Sequence, residues 1–158
     1  MATKFEPKLK EGDGAPDFSA MTSNGGKISL AELKGKSVIL YFYPKDDTSG
    51  CTKEACGFRD DFAEFKKHGA VVLGVSPDSV KSHDKFVKKY SLPFTLVADE
   101  DKKIATAYGV WGQKTFWGRK YMGNHRVTFL IGPDGRIRKV WPDVNPDRHS
   151  KEVLALFV

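Results

Sequence analysis

The chain has 158 residues and a mass of 17.6 kDa, with 40% apolar and 29% charged residues, which excludes global disorder and leaves enough chain for one domain with a sizeable core. Its 26 Lys and Arg against 20 Asp and Glu give a net charge of +6, scattered in groups such as KKH at 66–68 and KKY at 88–90. That is the pattern of an ordinary solvated surface, so no nucleic-acid partner is expected; no stretch approaches about 20 uninterrupted apolar residues, so no membrane partner is expected either.

In chain order, residues 1–16 read as an extended lead-in punctuated by Gly12, Gly14 and Pro16. The start, MATKFEPKLKEGDGAPDF, lacks the apolar run of a secretory signal, and with only two cysteines in the chain a reducing, cytoplasmic location is the expectation. KISLAELKGK predicts a short strand and a single turn ended by Gly35. SVILYFYP, apolar from Val38 to Tyr43, predicts a central strand covered on both faces. Cys51, Ala55, Phe58, Phe62 and Phe65 recur at helical spacing, and KKH followed by Gly69 closes that helix.

AVVLGVS predicts a second buried strand, SVKSHDKFVKKY a polar helix, FTLVAD a third strand and EDKKIATAYGV a short helix. Residues 109–125, GVWGQKTFWGRKYMGNH, carry four glycines and show neither period, and read as a long aromatic loop. VTFLIGPDGRIRKVW is a hairpin with Pro133 at the second turn position, and DRHSKEVLALFV is a terminal helix. The order β-α-β-α-β-(α)-β-β-α predicts an α/β, thioredoxin-like fold: a central mixed β-sheet flanked by helices, as a single domain over 1–158. Open sheets of this kind place ligands at the carboxyl ends of central strands, where the first long helix begins.

Both cysteines of the chain, Cys51 and Cys56, fall at that junction. Five helical residues advance about 7.5 Å and turn about 140°, which separates the two Cα atoms by roughly 8.7 Å. A disulfide tolerates at most about 7 Å, so in an intact helix these thiols cannot bond; either they never pair or the first turns unwind. A structural disulfide would close a loop of about six residues for only roughly 2 kcal/mol and lose the helix. A metal site would need four ligands, and His68, His83, His125 and His149 are dispersed. Two unrelated cysteines, one filling the core, remain a bland alternative. Against it, Cys51 lies in a first helical turn, where free N–H groups and the positive dipole end favour an anion and can depress a thiol pKa below its usual value of about 8.5.

Pro44, Thr48 and Cys51 form P-x-x-x-T-x-x-C, which resembles the peroxiredoxin active-site signature. FYPKDDTSGCTKEACGFRD resembles the bacterioferritin-comigratory-protein (PrxQ) branch, and the similarity continues through DKKIATAYGVWG, KYMGNHRVTFLIGPDG and HSKEVL. Ser49 departs from the branch, in which proline is commoner there. The resemblance implies a peroxidase that acts on hydrogen peroxide and organic hydroperoxides, with Cys51 as peroxidatic nucleophile and Cys56 as its resolving partner in an intramolecular disulfide. It implies that Thr48, Arg126 and the Cys51 amide hold the peroxide, that Pro44 shields the pocket, and that Glu54 matches a family position. It further implies no cofactor and no metal, a thioredoxin or glutaredoxin-like reductant, and a monomer.

The magnitudes show why one thiol is not enough. A thiol shifted from about 8.5 to about 6 gains roughly thirtyfold in thiolate at pH 7, about 2 kcal/mol, whereas enzymes supply at least about 8. The remainder must come from groups that stabilise charge on the departing oxygen. The tyrosines of YFY read as core or pocket wall. Two rival functions stay open: a disulfide oxidoreductase, for which C-x-x-C would be expected and is absent, and a redox sensor that uses the same thiols.

Overall fold

The structure, a computed structural model, describes residues 5–157. Its centre is β3 (Ser37–Phe42), whose parallel neighbour β4 (Ala70–Ser76) leads outward to the parallel edge strand β5 (Thr95–Ala98). On the other side β8 (Val127–Ile131) and β9 (Ile137–Trp141) add antiparallel, giving the five-stranded order β5-β4-β3-β8-β9. A short hairpin, β1 (Ser19–Met21) with β2 (Lys27–Ser29), precedes the sheet. The lead-in is fastened to the far edge of the sheet by backbone bonds, Gly12 N–H to the Ile137 carbonyl (2.8 Å) and Ala15 N–H to that of Gly135 (2.9 Å).

The unbroken apolar run of β3 has the predicted cause. Val38, Leu40 and Phe42 enter one core with Leu73, Val75, Phe129 and Tyr108, while Ile39, Tyr41 and Tyr43 enter a second with Phe58, Phe65, Phe86 and Leu96. Both faces of the strand are covered, so alternation disappears from the sequence. The first core is closed by α3 (Lys103–Ala107); the second by α1 (Ser49–Lys67), α2 (Val80–Tyr90) and α4 (His149–Leu154). The Gly132–Gly135 turn carries Pro133 at its second position and closes with a 2.9 Å bond from Gly135 N–H to the Gly132 carbonyl. Among the described residues no helix is long and apolar enough to cross a membrane.

One expectation fails. Residues 109–125 are not a loop but contain a hairpin, β6 (Trp111–Phe116) and β7 (Arg119–Asn124), paired in register from Trp111↔Asn124 to Phe116↔Arg119. Neither face of this two-stranded ribbon is covered along its outer half, so no apolar alternation marks it. Its turn is Trp117–Gly118, both at positive φ (54° and 75°), and the tryptophan disguises what would otherwise read as a two-residue hairpin turn.

Candidate active site

Cys51 sits where β3 hands over to α1. Thr48 is the N-cap of that helix, and the first intrahelical bond runs from Thr52 N–H to the Thr48 carbonyl (2.8 Å). The amides of Ser49, Gly50 and Cys51 therefore precede the hydrogen-bonded ladder and point out of the positive end of the helix dipole. The Cys51 side chain lies in the second core and is 1% exposed, so a peroxide needs a local opening to reach its sulfur. Both thiols are free, and Cys56 is half-buried on the same continuous helix.

Arg126 precedes β8. Because β8 runs antiparallel to β3 with Phe42 opposite Val127, Arg126 arrives at the carboxyl end of β3, beside the start of α1. Its Nη2 donates to the Cys51 Sγ at 3.3 Å and its Nη1 to Glu54 Oε1 at 2.7 Å. Gly50 makes this approach possible, since a Cβ there would lie 3.1 Å from Nη2. Burial opposes the charged guanidinium, yet the facing Glu54 and Cys51 outweigh it and hold Arg126 above its usual range. Glu54 is fully buried; burial pushes its carboxyl up from 4.5 to about 7, and Arg126 pulls it only part of the way back. Glu54 Oε2 has no hydrogen-bond partner.

The other expected residues are arranged differently. Thr48 is exposed, and its hydroxyl donates to the Lys45 carbonyl at 3.0 Å. The lone pairs of that oxygen stay free to accept. Pro44 is half-buried directly after β3. The structure thus brings Arg126, Glu54 and Cys51 into contact and sets Thr48 one helical turn before the thiol, with no hydrogen bond from Thr48 to Sγ.

Several residues at the site had no signal in the sequence. Lys114 of β6 donates to the Asn124 carbonyl (2.9 Å), and burial first, then Arg126, lowers its pKa, while Cys51 opposes that shift. Asn124 donates from Nδ2 to the Tyr43 carbonyl at 3.2 Å, pinning the root of the hairpin to β3. Tyr41 and Tyr43 are core residues, as expected, but the Tyr43 hydroxyl also donates to Asp46 at 2.5 Å. Asp46 then joins Ser82 (2.8 Å) and His83 (2.7 Å), whose other nitrogen meets the Val97 carbonyl at 2.9 Å. Asp46, Asp78 and His83 bring their ligand-type atoms within 4.8 Å of one another, but these atoms are engaged by Tyr43, Ser76 and Ser82. On the other side of α1, His149 binds the Thr128 hydroxyl at 2.7 Å and is pushed down to about 4 by burial, with Arg126 acting in the same sense.

The profile of the AhpC/TSA family matches residues 12–140. A putative peroxiredoxin bcp of Coxiella burnetii is 54% identical over 92% of this chain and 97% of its own length. Peroxiredoxin Bcp of Bacillus subtilis is 47% identical over 92% of this chain and 93% of its own. The solved structure of the Xanthomonas campestris bacterioferritin comigratory protein, studied for its alkyl peroxide reduction activity, superimposes with a TM-score of 0.86 at 38% identity, covering 96% of this chain and 97% of that one. The sheet order, the helix that starts at the end of β3 and these likenesses over nearly the full length agree: the chain belongs to the AhpC/TSA family and is a peroxiredoxin of the Bcp/PrxQ branch, a thiol peroxidase on a thioredoxin-like fold.

Proposed function

We propose that Cys51 is the peroxidatic nucleophile and Cys56 its resolving thiol. The observation that carries this is the 3.3 Å contact between the Arg126 guanidinium and the Cys51 sulfur, at a helix start whose first amides are free. A permanent cation and aligned N–H groups favour the thiolate and then the charge that develops on the departing oxygen. The thiolate attacks one oxygen of the hydroperoxide, the O–O bond breaks, and the leaving oxygen takes a proton to give water or an alcohol, while Cys51 becomes a sulfenic acid. Thr48, with a free acceptor lone pair, and Arg126 orient the peroxide; Pro44 restricts water at the pocket. Glu54 fixes one arm of the guanidinium so that the other faces sulfur.

Cys56 attacks the sulfenic sulfur, expelling water and forming the intramolecular disulfide. Both cysteines lie on one continuous helix, roughly 8.7 Å apart at Cα by helix geometry, so the first turns of α1 unwind for this step. A dithiol protein such as thioredoxin, or one resembling glutaredoxin, then reduces the disulfide by exchange. Hydrogen peroxide and small organic hydroperoxides are the substrates. The cytoplasm is the fitting compartment, and one domain acting as a monomer suffices, because every residue named comes from one chain.

Stopped-flow oxidation of the reduced protein by peroxide, followed by turnover with thioredoxin, tests the assignment. Cys56→Ser should consume about one equivalent and stop at the sulfenic acid. Oxidation of Cys51 no faster than that of a free thiol would favour a redox sensor, and turnover on protein disulfides alone a disulfide oxidoreductase.

A further inference from the structure

The fold does not explain the tip of the β6–β7 hairpin. Trp117 is 87% exposed and Phe116 63%, and the two rings meet edge to face at 5.9 Å. Trp117 also holds a φ of +54°, a conformation that suits glycine and strains a bulky side chain. A residue strained in its backbone and immersed in water serves neither packing nor the turn. Tyr121 and Met122 of β7 are also exposed, one on each face of the ribbon.

The stretch of sequence that carries this tip is one-sided in charge. Between Asp101 and Asp134 there is no acidic residue, but there are six basic ones: Lys102, Lys103, Lys114, Arg119, Lys120 and Arg126. Taking these six from 26 leaves 20 basic residues against 20 acidic ones, so the whole net charge of +6 resides in this segment. The remainder of the chain is balanced. Arg119 and Lys120 directly follow the tip and are exposed.

We propose that the hairpin tip is a docking device for an anionic phospholipid bilayer, with Trp117 and Phe116 as an interfacial wedge and Arg119 and Lys120 as headgroup contacts. Amphipathic aromatic rings favour the interface, and each nearby cation adds attraction to anionic lipid. The shape favours lipid over single-stranded nucleic acid. Nucleic acid needs successive open ring faces along a groove, whereas here one indole projects from a ribbon end with Phe116 against it. Six strand residues span about 20 Å, and the ribbon's root reaches Tyr43 through Asn124, so a docked tip holds the Cys51 site within about 20 Å of the bilayer surface. A bilayer partner of this kind departs from the sequence expectation of no membrane partner.

Flotation of the full reduced chain with vesicles tests this, using phosphatidylcholine alone and phosphatidylcholine with an equal part of phosphatidylglycerol. The protein should float with the anionic vesicles only, with tryptophan emission shifted to the blue, and added salt should weaken the binding. Trp117→Gly should weaken partitioning at least about tenfold and remove the blue shift, since Trp111 and Trp141 remain as controls. Its melting temperature should hold or rise because glycine relieves the turn, and turnover of hydrogen peroxide in solution should not change. Arg119→Ser with Lys120→Ser should cost about thirtyfold in partitioning. No flotation, or binding that ignores both substitutions, overturns the proposal. So does a tip that instead mediates self-association or oligonucleotide binding without binding vesicles.

Discussion

Two buried polar clusters flank the end of β3, and they differ in how completely they are satisfied. In the Asp46–His83 cluster, Asp46 accepts from Tyr43 and Ser82 and meets His83, the second nitrogen of His83 is occupied, and Ser76 and the Asp46 amide both bind Asp78. In the Cys51–Glu54–Arg126 cluster, one Glu54 oxygen has no partner and the sulfur has one donor. A saturated network ties α2 to the strand ends and has nothing left to offer a substrate. An unsaturated one, fixed by a single guanidinium, keeps acceptor and donor capacity for chemistry.

That contrast can be tested hardest at the thiol itself. Cys51→Ser should abolish peroxide turnover in the thioredoxin-coupled assay while the fold survives; measurable turnover would break the distinction at once. Arg126→Met comes next, with a loss of about 10²–10³ in kcat/KM for hydrogen peroxide. A loss under tenfold would mean that the helix start alone carries the reaction. Asp46→Asn should show the opposite signature: about 3–5 kcal/mol of stability lost in urea unfolding as the buried pairing breaks, with kcat/KM of the folded fraction unchanged.

The smallest effect is a pH slope. Glu54 titrates near 4.5 in the unfolded chain and at about 7 in the folded one, so the folded state holds the extra proton between those values. Stability therefore falls as pH rises through that window, by about 1.4 kcal/mol per unit. His149 moves from 6.5 unfolded to about 4 folded, so there the unfolded chain takes the proton and stability falls as pH drops from 6.5 toward 4. The two slopes oppose each other between 4.5 and 6.5 and nearly cancel. Glu54→Gln should expose the His149 slope, losing about 3 kcal/mol across the window on acidification, and His149→Gln should expose that of Glu54 with reversed sign. Urea midpoints against pH measure both, and a Glu54→Gln curve as flat as the parent would refute the assignment.

Much of this was legible in the residues, for physical reasons. The β3 run, the α1 stripe with its basic last turn, and the Pro133–Gly135 turn are local patterns, and each formed as read. P-x-x-x-T-x-x-C lies within eight residues and pointed to the candidate site. Arg126 was reached only through resemblance, because 75 residues separate it from Cys51 and only the β3–β8 pairing closes that gap. Asp46–His83 and Thr128–His149 had no signal, since single polar residues 37 and 21 positions apart leave no period. The β6–β7 ribbon was hidden because its outer half buries neither face, and burial is what writes alternation into a strand.

Further along α1, Gly57 packs against α4, where a Cβ would lie 3.0 Å from the Ser150 hydroxyl, and Asp61 is bound by Ser150 at 2.8 Å and Lys151 at 2.6 Å. The rear of this helix is moored to α4, while the front, up to Cys56, is held across the site by Arg126 through Glu54 and Cys51. Once Cys51 is oxidised and its contact with Arg126 changes, amide deuterium uptake should divide the helix at Gly57, faster before it than after it, so that a single rod carries two opening energies and Cys56 is the last residue before the knot.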